Sequence, residues 1–157
     1  MQMGIVSMSA KLGDKETETE YCKLIVNKGG ASVETLGQAY NNLGVLYEGT
    51  EEEIGYFAKA VELNPNRFAP VYSLACAYAT REQWTLAVDY FKQSLPLASD
   101  PDLLLQTLKH LYRCVISRMQ ADPASFASKS QQELMEGLQS AMGKENYDLL
   151  VQMNKVA

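Results

Sequence analysis

Apolar positions recur along this chain every three and four residues, not every two. The first clear set is Leu36, Ala39, Tyr40, Leu43, Leu46 and Tyr47, a spacing that gathers apolar side chains on one face of a helix. Gly49 follows at a place suited to a left-handed residue that ends a helix. A second stripe, Ile54, Phe57, Ala58 and Val61, runs up to Asn64-Pro65, where proline stops the hydrogen-bond ladder. Between the stripes, Thr50-Glu51-Glu52-Glu53 spells a capping box. Its Thr50 hydroxyl is expected to accept a helix N–H, while Glu53 reaches back and stays exposed in the first turn. The pair reads as an αα-hairpin.

The same order returns downstream. A helix is expected over Phe68–Thr80, a turn near Glu82, and a helix from about Gln83 to Leu95 ended by Pro96. Leu43, Gly44 and Tyr47 align with Leu74, Ala75 and Tyr78 at an offset of 31, whereas Phe57 and Ala60 align with Phe91 and Ser94 at an offset of 34. The three missing residues are expected in the turn of the first hairpin. Another step of 34 carries Leu74 to Leu108 and Tyr78 to Tyr112, so "DLLLQTLKHLYRCVISRMQ" reads as the opening helix of a third unit. That unit departs from the others: Lys109 takes the place of a small residue, and Ala121-Asp122-Pro123 interrupts the partner helix. A later helix opened by Ser130-x-x-Glu133 and closed by Gly143 completes an atypical hairpin, and Tyr147–Val156 reads as an end-covering helix. Upstream, "KETETEYCKLIVNKGG" is expected to be helical, with a strand as the alternative left open by its alternating Glu and Thr.

Tyr40-x-x-Leu43-Gly44-x-x-Tyr47, Val71-x-x-Leu74-Ala75-x-x-Tyr78 and Ala87-x-x-x-Phe91 resemble the tetratricopeptide repeat signature. The resemblance implies an all-α fold, a short right-handed α-solenoid of antiparallel helix pairs with atypical ends. Its segments would be a partial or divergent N-terminal unit at 1–30, a unit with a shortened turn at 31–65, a unit at 66–99, a degenerate unit at 100–143 and a capping helix at 144–157. Small residues at Gly44 and Ala75 would let paired helices approach, with Leu43, Tyr47, Phe57 and Phe91 filling the space between hairpins.

The function implied by the resemblance is a non-catalytic protein–protein interaction domain, an adaptor or assembly module. A peptide or partner helix would lie in a concave groove lined by the first helix of each unit. The residues expected there are Gln38, Asn41, Asn42 and Val45, then Tyr72, Ser73 and Cys76, then Gln106, Thr107, His110 and Arg113. Such a surface suits an extended peptide held through its backbone amides, with one acidic group near Arg113. The clamp of Lys, Asn and Arg with which some members hold chaperone C-terminal tails is not expected, because Leu103 and Thr107 stand where its basic members would be. Two alternatives remain: a self-associating structural module that stacks through its repeat ends, and a regulatory piece of a larger multidomain protein.

Composition narrows the partners. Fourteen basic against nineteen acidic residues give a net charge of −5, the wrong sign for a broad nucleic-acid footprint. Cys22, Cys76 and Cys114 are widely spaced, with no C-x-x-C pair, so neither a disulfide framework nor a zinc site is expected. They read as small buried residues in a reducing compartment. No run approaches the ~18 apolar residues of a membrane span, which leads to the expectation of a soluble cytoplasmic protein. His110 is the sole histidine, and no local motif places a nucleophile beside it. Phosphate loops and hydrolase or metalloprotease motifs are absent from the sequence, so no enzyme activity, cofactor or metal is expected. The acids at Glu51–Glu53 read as a helix start, and Glu16, Glu18 and Glu20 as a solvated face.

Overall fold

The computed structural model describes residues 14–156, and the regular structure among them is entirely helical. In chain order the α-helices are α1 (Lys15–Lys28), α2 (Val33–Leu46), α3 (Glu52–Leu63), α4 (Phe68–Thr80), α5 (Trp84–Ser94), α6 (Pro101–Gln120), α7 (Pro123–Ser128), α8 (Gln131–Met142) and α9 (Lys144–Val156). Leu95–Leu97 adds a short 3-10 turn after α5. The first thirteen residues of the expected 1–30 unit, and Ala157, lie outside the described residues. Successive helices pack as antiparallel pairs.

Side-chain caps start most of these helices. Asp14, Ser32, Asp100, Asp122 and Ser130 each accept an N–H from the residue three positions on, satisfying a donor that has no partner within the helix. With Asp14 as cap, the Glu-Thr alternation of α1 lies on a helix, and the strand alternative falls away. The Asp100-Pro101 and Asp122-Pro123 pairs combine a cap with a proline whose missing N–H costs nothing at that position.

The chain divides into two compact units inside α4, one up to Pro70 and one from Val71. In the first unit α2 packs along α3, and α1 along α2. The two helices α2 and α3 come close at Gly44, where an added Cβ would lie 2.5 Å from both Cδ1 and Cε1 of Phe57. Glycine is needed at that position for space, since its backbone is ordinary helix.

The linkage between α2 and α3 differs from expectation in three respects. First, the helix start is shifted from Thr50. Helix α3 starts with Glu51 as a cap in helical backbone conformation, without a side-chain bond. The Thr50 hydroxyl donates to the Tyr47 carbonyl at 2.6 Å, and the Glu53 carboxylate accepts the Gly49 N–H at 3.3 Å. Second, Glu53 is only 7% exposed. The buried stripe of α3 is Glu53, Phe57 and Ala60, rotated from the expected one so that Ala58 faces solvent. Third, the three missing residues are not lost from the turn. Relative to Tyr47 and Tyr78, α2 stops three residues sooner than α4, and relative to Phe57 and Phe91, α3 starts two residues later than α5. The connection itself is five residues long against three. Gly49, at φ 84°, turns the chain early, so the helices are short and the turn is long.

In the second unit α4 and α5 form the next hairpin, with Glu82 at φ 58° in its turn. Phe91 is buried between them and α6, in a core with Ala75, Val88, Leu108, Leu111 and Val115. Helix α6 is the central element, touched by α5, α7, α8 and α9, and α8 also packs on α9. Lys109 does no harm in the small-residue place, because Leu108 and Leu111 turn inward and Lys109 turns out to solvent. Among the described residues, the fully buried hydroxyls of Ser94 and Thr107 are satisfied within their own helices: Ser94 donates to the Phe91 carbonyl at 2.8 Å and Thr107 to the Leu103 carbonyl at 2.7 Å.

Candidate binding clefts

In the first unit, the face of α2 away from its core carries Gln38, Asn41 and Asn42. These three come together with Gly37, Asn64, Arg67, Ala69 and Pro70 around a cleft of about 130 Å³. Its far wall is held in place by the segment after α3. The Asn64 amide donates toward the Val33 and Glu34 carbonyls at 3.4 and 3.5 Å, and Arg67 pairs with the Glu34 carboxylate at 2.8 Å. Gly37 makes room for Asn64, because a Cβ there would run into the amide group. The cleft is therefore lined by amides and backbone, with its one guanidinium already engaged.

Asn41 gives this cleft its chemical character. Its Oδ1 is buried and accepts no hydrogen bond within the protein. Buried carbonyl oxygens without a donor are rare and cost about 1–3 kcal/mol each. Asn42 faces the Cys22 thiol, which burial pushes up to about 11. Val45, the fourth residue expected on this face, is 56% exposed and does not line the cleft.

In the second unit, Tyr72, Cys76, Gln106 and His110 come together. The His110 ring stacks on Phe91 with centroids 5.7 Å apart and planes 10° from parallel. Tyr72 meets the same two rings edge-on, at 5.6 Å from Phe91 and 5.7 Å from His110. The Tyr72 hydroxyl interacts with the Cys76 thiol and the Gln106 amide, and burial drives its pKa up to about 12. Burial first, then the charge of Arg113, holds the His110 imidazole below its ordinary value. The imidazole is thus an aromatic packing element that resists protonation. Ser73 is half-buried on α4.

Thr107 is a correction. The repeat spacing predicts it on the groove face, but it is fully buried and its hydroxyl bonds back to Leu103, so it belongs to the core of α6. Arg113 is exposed and lines a second cleft, of about 400 Å³, between α6 and α9. Lys109 and Tyr112 share its α6 wall, while Tyr147, Leu150, Val151 and Asn154 form the α9 wall.

Sequence reasoning missed Asn64 and Arg67, which no periodic signal marks because they follow a helix end. It also missed the α9 wall, although Tyr147, Leu150, Val151 and Asn154 are spaced as one helical face. Among the described residues there is no cluster of three or more His, Cys, Asp or Glu able to hold a metal ion. No helix among them is long and apolar enough to cross a membrane. No family model matches this chain, and no characterised protein matches its sequence.

Proposed function

We propose that this protein is a non-catalytic interaction domain of the tetratricopeptide type, a short solenoid of helix hairpins that binds an extended peptide at the cleft on α2. The observation that carries this reading is the buried, unpartnered Oδ1 of Asn41 beside the amides of Gln38 and Asn42. An oxygen in that state lacks a donor, and a peptide backbone supplies N–H donors and carbonyl acceptors in alternation along an extended strand. Side-chain amides on successive turns of one helix can take both. The close approach of α2 and α3 at Gly44 and Phe57, and the matching hairpin of α4 and α5, support the repeat architecture.

Selection of a displayed random peptide library against the intact protein tests this function. Enriched peptides should bind wild type and lose at least tenfold in affinity on Asn41→Ala and on Gln38→Ala, with far-UV circular dichroism unchanged. Equal binding to the variants, or no enrichment, refutes the cleft as a peptide site.

A second reading, self-association, is favoured by one surface feature. Leu24, Val33 and Val45 of the first unit are 63%, 55% and 56% exposed, aliphatic side chains that a second copy could cover. Light scattering across a hundredfold concentration range separates the readings, since a mass that stays monomeric eliminates self-association.

A further inference from the structure

The cleft between α6 and α9 has a chemistry unlike that of the α2 cleft and does not depend on it. Lys109 and Arg113 stand one turn apart on α6 with Tyr112 beside them, and the α9 face opposite presents Tyr147, Leu150 and Val151. Leu150 is buried at the bottom, Tyr147 and Val151 are half-buried, and the α6 side chains are exposed at the rim. Among the described residues neither Lys109 nor Arg113 has a carboxylate partner, unlike Lys59 with Glu62, Arg67 with Glu34 and Lys144 with Asp148. The acid of α9 nearest the cleft in sequence, Asp148, is therefore already tied to Lys144. Among the described residues no acidic side chain lines the cleft. In a chain of net charge −5, two unneutralised cations over an apolar floor form a local exception to the surface around them.

We infer that this cleft docks a short acidic segment of a partner protein, with one aromatic or branched aliphatic side chain seated on Leu150 and Val151 between the tyrosines and its flanking carboxylates paired with Lys109 and Arg113. Charge complementarity selects the occupant. Cations at the rim draw carboxylates and repel basic segments, while the tyrosines offer flat apolar walls with a polar tip. Size agrees: about 400 Å³ lies near the low end of the ~300–1,000 Å³ typical of clefts that enclose a ligand, enough for an anchor side chain and too little for a whole helix. Arg113 can hold a carboxylate through two parallel N–H bonds, and Lys109 adds a mobile point charge one turn away.

The test uses the full chain and a fluorescein-labelled peptide, Asp-Glu-Phe-Glu-Asp, read by fluorescence anisotropy. Two controls accompany it, one with Phe replaced by Ser and one with the acids replaced by their amides. The acidic Phe peptide should bind at least tenfold more tightly than either control, and its affinity should fall several-fold between 50 and 300 mM salt. Lys109→Glu and Arg113→Glu should each weaken it tenfold or more, and Val151→Trp, which fills the cleft without touching the charges, should do the same. The substituted residues are not part of the buried core, and far-UV circular dichroism with Trp84 emission checks that each variant is folded. Equal binding of the controls, indifference to charge reversal, or no binding up to millimolar peptide overturns the inference. So does tighter binding of a single-stranded oligonucleotide or of decanoate, which would reassign the cleft to nucleic acid or to a small amphipathic anion.

Discussion

Replacing Gly44 by alanine sets two effects of known sign against each other. In an ordinary helix interior the change stabilises by about 1 kcal/mol, because glycine loses more backbone freedom on folding. At Gly44 the new methyl would sit 2.5 Å from two atoms of the Phe57 ring and 2.9 Å from a third, well inside contact distance. Relief requires the ring to leave its well or α2 and α3 to separate, and overpacking of this kind costs about 1–3 kcal/mol. The clash outweighs the propensity gain, so Gly44→Ala should destabilise the first unit by about 1 kcal/mol net.

Gly55 supplies the internal control. It lies in the middle of α3, is exposed, and a Cβ there would meet nothing within 4 Å. Gly55→Ala should therefore stabilise by about 1 kcal/mol, the opposite sign from the facing helix of the same hairpin. Urea denaturation followed by far-UV circular dichroism reads both changes, while emission from Trp84, which lies in the second unit, serves as a reference signal. Shortening the obstructing ring completes the cycle. In a Phe57→Leu background Gly44→Ala should become neutral or stabilising, with a coupling of about 1–3 kcal/mol between the two sites. Equal and same-signed effects at Gly44 and Gly55, or a coupling below about 0.5 kcal/mol, would show that the helices do not meet at this glycine.

Two further outcomes follow from burial. His110 has its pKa held down by desolvation and then by Arg113, so the folded state disfavours the imidazolium and the unfolded chain takes up the proton first. Stability is therefore full above the ordinary value of 6.5 and declines as pH falls from there to the lower folded value; urea midpoints at pH 8 and pH 5.5 should differ less in His110→Gln, since His110 is the sole histidine. Cys22 and Cys114 have thiols pushed by burial from 9.0 to about 11, which lowers the thiolate fraction at pH 8 roughly a hundredfold. Mass spectrometry after brief iodoacetamide treatment should find both unmodified in the native protein and both alkylated in urea, and rapid native labelling at either would contradict its placement in the core.

Much of the fold was legible because helices announce themselves at both ends. Phe68–Thr80 matches its observed bounds, and Gly143, at positive φ, caps α8 as expected; Gly49, also at positive φ, lies in the turn two residues beyond Tyr47, the actual cap of α2. Asp100-Pro101 and Asp122-Pro123 likewise encode a break and a restart locally. The linkage before α3 was misread because three consecutive glutamates offer several equally good helix starts, and local spelling cannot choose among them. What chose was Phe57. Once its ring sits under Gly44, α3 has one rotational setting, and that setting carries Glu53 inward and Ala58 outward. The Gly49 N–H then meets the Glu53 carboxylate, which lies at the helix N-terminus where negative charge is favoured.

The candidate sites were less legible for a related reason. A helix has about 3.6 residues per turn, so residues just outside a core stripe lie near its edge, and small rotations decide which of them face solvent. Thr107 shows this on α6. It directly precedes the stripe residue Leu108, and repeat spacing predicts it on the open face, but the helix is enclosed by α5, α7, α8 and α9 and buries a wider arc than a two-sided repeat helix would. The same enclosure explains why Lys109 and Arg113, four residues apart on the remaining open arc, meet α9 instead of an open groove. Helix α9 thus has two effects at once: it covers the end of the second unit's core through Leu150, and it turns an exposed basic edge of α6 into a walled cleft. Under the inferred docking role, that second effect is what would distinguish a binding end from a merely capped one. It makes Val151→Trp the informative substitution, because it fills the space between the helices while leaving the charges of α6 and the buried Leu150 as they are.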